Sequence, residues 1–147
     1  MRAFLFVRAS TAMCSVSDGA NTMTANDQPD IIASCHCGKI NIKLASAPDV
    51  VVECNCSLCR RFGVLWVYYD AKDLSGMPEP DDTDTYAWNG RHVSFHRCRD
   101  CGCLTHWMPK SATRQTLGIN ARLLAPKLVA SARLRHKDGA GSGKYLD

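Results

Sequence analysis

The sequence contains no uninterrupted apolar run close to the roughly 20 residues that a membrane-spanning helix requires. It also lacks a convincing secretory signal, because the apolar run Ala3–Val7 is shorter than the ~7–15 residues of a signal's apolar segment. We therefore expect a cytoplasmic protein without a membrane-embedded part. Its thiols should stay reduced in that compartment.

Long amphipathic helical patterns are also missing, and aromatic residues make up only 7% of the 147-residue chain. From Ile31 onward, short alternating apolar runs are separated by turn residues, which predicts strands. The runs Ile31–Ala33 and Ile40–Leu44 form a predicted hairpin, and Asn89-Gly90 is typical of a type I′ turn in a later one. We predict a mainly β fold of several short antiparallel sheets and hairpins.

The first 30 residues differ from the rest of the chain. They carry Ser, Thr, Asn, Asp and Gly without a sustained strand or helix period, so residues 1–30 are interpreted as a flexible, disordered leader. Cys14 lies in this leader and is expected to be an unpaired surface thiol. The domain proper is predicted to span residues 31–147.

The chain contains nine cysteines, and eight of them fall into three tight groups. The groups are Cys35-His-Cys37, Cys54-Asn-Cys56-Ser-Leu-Cys59 and Cys98-Arg-Asp-Cys101-Gly-Cys103. One- and two-residue gaps suit shared metal coordination better than disulfides to separate partners. The formal charge of +4 counts each cysteine as neutral, so thiolate coordination of zinc would remove most of the apparent basicity.

The first and third groups complement each other. Residues Cys98–Gly102 match a zinc knuckle, a tight CxxCG turn that supplies two sulfur ligands. Cys35 and Cys37 are two residues apart and share a face in extended chain, so both can point at one ion. Together they predict a closed, structural four-cysteine zinc site of Cys35, Cys37, Cys98 and Cys101.

The middle group offers three thiols, Cys54, Cys56 and Cys59, without an obvious fourth ligand nearby. Three protein ligands and a free position are typical of a catalytic zinc, and an incoming thiol is a soft ligand suited to that position. The alternative is that Cys103 or a histidine closes the site and makes it structural.

These three signatures resemble the glutathione-dependent formaldehyde-activating enzyme family. The similar segments are Ser34–Gly38, Cys54–Gly63 and Cys98–Trp107, with further likeness in Asn120–Leu124, Asp138–Ala140 and Lys144–Asp147. The resemblance implies a mainly β zinc-binding fold of the type shared with methionine sulfoxide reductase B and a Rab-binding zinc protein. One departure is Gly141-Ser-Gly143, where family members often carry Asp-Thr-Trp.

The resemblance also implies two zinc ions per chain and a small-molecule thiol and aldehyde as partners. A structural zinc would lie at Cys35, Cys37, Cys98 and Cys101, and a second zinc at Cys54, Cys56 and Cys59 would be completed by the sulfur of glutathione. The implied activity is that of a carbon–sulfur lyase, interconverting glutathione plus formaldehyde with S-hydroxymethylglutathione. Cys103 is not a zinc ligand in this pattern.

Arg60 and Arg61 directly follow the last ligand and are candidate anchors for the two carboxylates of glutathione, because arginine can bind a carboxylate with two hydrogen bonds. A solvated basic turn is the alternative. The aromatic residues Phe62, Trp66, Tyr68 and Tyr69 could wall a substrate pocket or pack in the core.

Three other protein classes compete with the enzyme. A zinc-ribbon nucleic-acid binder is a weak alternative that rests on Arg91, Arg97 and Arg99 near the knuckle. A methionine sulfoxide reductase would need a second CxxC knuckle, whereas Cys35 and Cys37 form a CxC pair. The runner-up is a noncatalytic interaction module on the same zinc scaffold, with a closed or empty second site.

Overall fold

In the computed structural model the described residues are 30–147, and the predicted leader with Cys14 lies outside them apart from Asp30. Ten strands are described: β1 (Ile31–Ser34), β2 (Asn41–Leu44), β3 (Val50–Cys54), β4 (Leu65–Asp70), β5 (Leu74–Ser75), β6 (Thr83–Tyr86), β7 (Val93–Cys98), β8 (Leu104–Pro109), β9 (Thr116–Asn120) and β10 (Arg133–Lys137). Two short helices accompany them, α1 (Cys59–Phe62) and α2 (Pro126–Ser131). The mainly β prediction is confirmed.

The strands form two sheets. A three-stranded sheet has the order β1-β2-β5, and a seven-stranded sheet has the order β10-β3-β4-β9-β8-β7-β6. Neighbouring strands are antiparallel except β10 and β3, which are parallel. The predicted antiparallel pairing therefore holds for every strand pair but one. Most strands join one large sheet instead of several short ones, and its edge strand β10 pairs in parallel.

The core has two apolar clusters, one on each face of the large sheet. Side chains alternate along β4, so that Val67 and Tyr69 pack in one cluster while Trp66 and Tyr68 pack in the other. The first cluster lies under the three-stranded sheet and contains the fully buried Ile42. The second contains Cys59 and brings the aromatic face of the sheet to the middle cysteine group.

The predicted hairpins are confirmed in part. Strands β1 and β2 pair with Ile31 opposite Leu44, as the alternation indicates. Strands β6 and β7 also pair, but their last partners are Tyr86 and Phe95, so the connection is longer than a two-residue turn. Asn89 and Gly90 do adopt positive φ, and Arg91 follows them with φ 54°.

Helix α1 begins without a side-chain cap, because Leu58 occupies its N-cap position and makes no such hydrogen bond. The acidic residues Asp81 and Asp82 lie in a short 3₁₀ turn, and β6 begins directly after them at Thr83. Sequence patterns gave no sign of β10, because its polar residues follow no clear alternation.

The longest helix within residues 30–147 has six residues, so no helix there could cross a membrane.

Candidate metal centres and cavity

The structure brings the first and third cysteine groups together, although they are more than 60 residues apart in sequence. The sulfur atoms of Cys35, Cys37, Cys98 and Cys101 all lie within 4.8 Å of one another, and we call this set the four-cysteine cluster. Two tight turns present the thiols. Gly38 (φ 78°) closes the first turn and Gly102 (φ 72°) closes the knuckle, and the amide of Gly102 donates to the carbonyl of Cys98.

The spacing of these sulfurs fits a tetrahedral metal. The Sγ atoms of Cys35 and Cys37 are 3.5 Å apart, and those of Cys37 and Cys98 are 3.7 Å apart. A tetrahedron with zinc–sulfur bonds of 2.3 Å has sulfur–sulfur edges of about 3.8 Å. The donor set and its geometry therefore suit zinc.

Backbone amides also support negative charge in the four-cysteine cluster. The amide of Ile40 donates to the sulfur of Cys35 at 3.3 Å. The backbone N–H groups of Cys103 and Cys37 lower the pKa of the Cys101 thiol to about 5. Such donors favour the thiolates that a metal requires.

The middle group forms a second set, the three-cysteine cluster of Cys54, Cys56 and Cys59, whose sulfurs also lie within 4.8 Å of one another. Within residues 30–147, no fourth cysteine, histidine, aspartate or glutamate joins it. Cys103 lies beside the other cluster, where its carbonyl accepts from the amide of Cys98 at 2.9 Å. Among the residues described, this set can therefore offer a metal three ligands.

Hydrogen bonds orient the three sulfurs. The indole N–H of Trp66 donates to Cys59 at 3.2 Å, and the amide of Cys59 donates to Cys56 at 3.4 Å. The Cys59 thiol, aided by backbone N–H groups of Cys56 and Gly139, lowers the pKa of Cys54 to about 5 against the effect of burial. The same contact, together with burial, raises the pKa of Cys59.

The C-terminal segment packs directly on this cluster, which sequence reasoning missed. A side chain at Gly139 would overlap the sulfur of Cys54, so only glycine fits without movement. The side-chain amide of Asn55 binds the segment through two hydrogen bonds. Its nitrogen donates to Asp138 at 2.9 Å, and its oxygen accepts from the backbone N–H of Ala140 at 2.8 Å. Ser142 also donates to Asp138, and together these donors lower the pKa of the Asp138 carboxyl.

A cavity of about 420 Å³ opens beside the three-cysteine cluster and is lined by all three of its cysteines. Five aromatic side chains form much of its wall: Trp66, Tyr68, Trp88, Phe95 and Trp107. Of the aromatic residues singled out from sequence, Trp66 and Tyr68 line this cavity. Phe62 is exposed instead, and the Tyr69 hydroxyl donates to the carbonyl of Ser46.

The predicted carboxylate anchors lie near the cluster but do not line this cavity. Arg61 donates to the carbonyl of Ser57 at 2.7 Å and borders a shallow cleft with Tyr86. Arg60 borders another cleft beside His136. The cations that line the cavity are Arg114 and Lys137, which the sequence did not single out because they are distant from every cysteine motif.

Two histidines of the large sheet and two arginines beside the knuckle have structural partners. The rings of His96 on β7 and His106 on β8 stack with centroids 4.3 Å apart, and burial lowers the pKa of His106 to about 3. Neither histidine belongs to a metal-binding set among residues 30–147. Near the knuckle, Arg97 and Arg99 both pair with Asp84, which reduces the free basic charge expected of a nucleic-acid surface.

Comparisons with known proteins agree with the motifs. The family model "Glutathione-dependent formaldehyde-activating enzyme" matches residues 30–135, which include all three cysteine groups but end before Asp138. The crystal structure of a Rhodobacter sphaeroides protein from a structural genomics programme is similar, with 25% identity and a TM-score of 0.57. That match covers 70% of this chain and 98% of the other. No curated protein matches the chain.

Proposed function

The chain belongs to the glutathione-dependent formaldehyde-activating enzyme family, and on that premise we propose that it is a zinc-dependent carbon–sulfur lyase. The proposed reaction adds the sulfur of glutathione to formaldehyde or a similar aldehyde, and it also runs in reverse. The product is a hemithioacetal of the S-hydroxymethylglutathione type. We place the reaction in the cytoplasm, where glutathione and the cysteines stay reduced.

One observation carries this proposal. The three-cysteine cluster lies in the wall of an aromatic cavity and gains no fourth protein ligand from residues 30–147. A zinc ion bound there would supply a fourth coordination position that accepts a thiol and lowers its pKa. The four-cysteine cluster, in contrast, would hold a structural zinc that is already saturated.

The residues of the chain have distinct roles in this scheme. Trp66 and the amide of Cys59 orient the sulfurs, and the aromatic wall limits the access of water to the reacting atoms. The substrate sulfur forms a bond to the aldehyde carbon while the carbon–oxygen π bond breaks. The oxygen then takes up a proton, which balances the proton lost by the thiol, so no oxidant or reductant is needed.

The experiment combines binding with exchange kinetics. Zinc-loaded protein should bind glutathione by calorimetry and accelerate the exchange between glutathione and its formaldehyde adduct, followed by NMR. Cys56→Ser should lose both properties. If zinc-loaded wild-type protein neither bound glutathione nor accelerated exchange, the noncatalytic interaction module would be favoured instead.

A further inference from the structure

Two cations border the cavity at different positions. Arg114 belongs to the loop between β8 and β9, and its guanidinium carbon lies 4.8 Å from the centroid of a Trp107 ring. Lys137 is the last residue of β10 and is paired in register with Cys54 on β3. One positive charge therefore lies on the aromatic wall, and the other lies beside the three-cysteine cluster.

Neither cation has an acidic partner in the described part of the chain. The ion pairs within residues 30–147 include Lys39, Lys43, Arg97, Arg99, Arg135 and His136, but not Arg114 or Lys137. Both side chains instead lie near aromatic rings, since the Lys137 ammonium is 5.8 Å from the ring of Tyr145. These two charges are available to a ligand.

The described wall of the cavity contains no aspartate or glutamate, so away from the three cysteines its fixed side-chain charge is positive. The nearby Asp138 carboxylate is occupied by donors from Asn55 and Ser142. A cavity of this kind favours a ligand with negative groups and an apolar or flat body.

We propose that Arg114 and Lys137 bind carboxylates of the thiol substrate and make this site selective for thiols that carry two carboxylates. This inference rests on the proposed function, because it assumes that the substrate sulfur reaches the three-cysteine cluster. The sulfur and the two cations then fix the substrate at three points. The aromatic side chains between those points contact its aliphatic portion.

Arg114 and Lys137 also differ in position from Arg60 and Arg61, the arginines of α1. Arg61 already donates to a backbone carbonyl. Arg60 borders a second cleft, which Cys54, Cys59 and Lys137 also line but which none of the five aromatic wall residues lines. A substrate that fills the aromatic cavity would meet Arg114 and Lys137 along its walls. Selectivity is thus assigned to residues far apart in sequence and not to the basic pair beside the last cysteine.

The test uses protein loaded with Co²⁺ in place of zinc, because thiol binding changes the sulfur-to-cobalt absorption bands. Glutathione and 2-mercaptoethanol are the two probes, the second having no carboxylate. We expect R114A/K137A to weaken glutathione binding by about tenfold or more, as charge-assisted hydrogen bonds are lost. Binding of 2-mercaptoethanol should change by less than about twofold, since it makes no such bonds.

Control variants test whether a change in glutathione affinity comes from a local contact or from the net charge of the protein. K72A/K127A removes the same two charges from exposed positions on a short turn and on α2, and it should leave both affinities unchanged. R60A/R61A should also retain tight glutathione binding. R114K should bind glutathione with intermediate affinity, because lysine keeps the charge but not the bidentate geometry.

The outcomes distinguish a failure of the carboxylate contacts from a failure of the thiol site. Equal glutathione affinity in R114A/K137A and wild type would overturn this inference and leave the proposed function standing. A loss confined to R60A/R61A would overturn it in favour of the α1 arginines. If neither thiol altered the cobalt spectrum of the wild-type protein, the proposed function would fail together with the inference.

Discussion

The two cysteine clusters use the same side chain in different structural settings. The four-cysteine cluster joins two turns that lie more than 60 residues apart, and the buried Cys35 and Cys98 are only 3% and 1% exposed. The three-cysteine cluster comes from one continuous segment, Cys54–Cys59, and lies against a cavity. Two distant turns together supply four sulfurs, whereas the single segment Cys54–Cys59 supplies three. The number of chain segments that meet at a cluster therefore decides whether protein sulfurs alone can fill a tetrahedral site.

The two clusters would also contribute differently to the free energy of folding. A metal in the four-cysteine cluster would connect the β1–β2 turn to the end of β7, and so link the small sheet to the large one. Its binding free energy would then become part of the free energy of folding. A metal in the three-cysteine cluster would connect residues that are already neighbours, so the fold should depend on it much less.

The largest expected effect comes from Cys98→Ser, which removes a buried thiol of the four-cysteine cluster. We expect this variant to lose the structural metal and to melt at least about 10 °C below wild type, because the link between the sheets is lost. Metal analysis and thermal unfolding followed by circular dichroism measure both effects. Cys103→Ser is the matched control and should retain two metals, since Cys103 lies outside both sets. Equal destabilisation by Cys103→Ser would make it part of the structural site.

Cys56→Ser should have a large effect on binding and a small one on stability. Its zinc content should fall from two ions to one per chain, and calorimetry should detect no glutathione binding. Its melting temperature should stay within a few degrees of wild type, because the remaining metal still links the two sheets. A variant that unfolded as completely as Cys98→Ser would remove the distinction between the clusters.

Gly139→Ala tests the contact between the C-terminal segment and the three-cysteine cluster. The added methyl group would overlap Cys54 Sγ and lie 3.2 Å from Cys56 Cβ, so the segment or the ligand must move. We expect metal affinity at this cluster to fall by roughly tenfold, equivalent to about 1.4 kcal/mol, with the four-cysteine cluster as the internal control. Competition with a coloured chelator measures the two affinities separately. Unchanged metal affinity would show that the C-terminal segment moves aside without displacing Cys54 Sγ.

The smallest expected effect comes from Trp66→Phe, which removes the indole donor to Cys59 but keeps an aromatic ring. Loss of one hydrogen bond to the sulfur should weaken metal binding at the three-cysteine cluster by about 0.5–1 kcal/mol, which is less than the effect of Gly139→Ala. Trp107→Phe is the matched control, because Trp107 lines the same cavity without this sulfur contact. The same chelator competition measures both variants. Equal weakening of metal binding by Trp66→Phe and Trp107→Phe would contradict the role assigned to the indole donor of Trp66.

Local patterns predicted much of this molecule. The alternation after Ile31 indicated the first hairpin, and the spacing of the cysteines indicated both clusters. Each of these features is encoded within a few neighbouring residues. Family membership was likewise predicted from short motifs and is confirmed by the match to residues 30–135.

The features that were missed depend on contacts between distant segments. Strand β10 has a mixed polar sequence and pairs in parallel with β3, which no local period indicates. Arg114 and Gly139 reach the cavity only because the β8–β9 loop and the C-terminal segment fold over it. Arg60 and Arg61 were candidates because they directly follow Cys59, yet in α1 they border other clefts.

The most direct test of the difference between the clusters is cadmium NMR of protein loaded with two cadmium ions during a glutathione titration. We expect two resonances, one from four sulfur ligands and one from three. Glutathione should shift only the second, toward the position of the first, as a fourth sulfur binds. Two resonances that both resist saturating glutathione, or that shift together, would contradict the assignment of one closed and one open site.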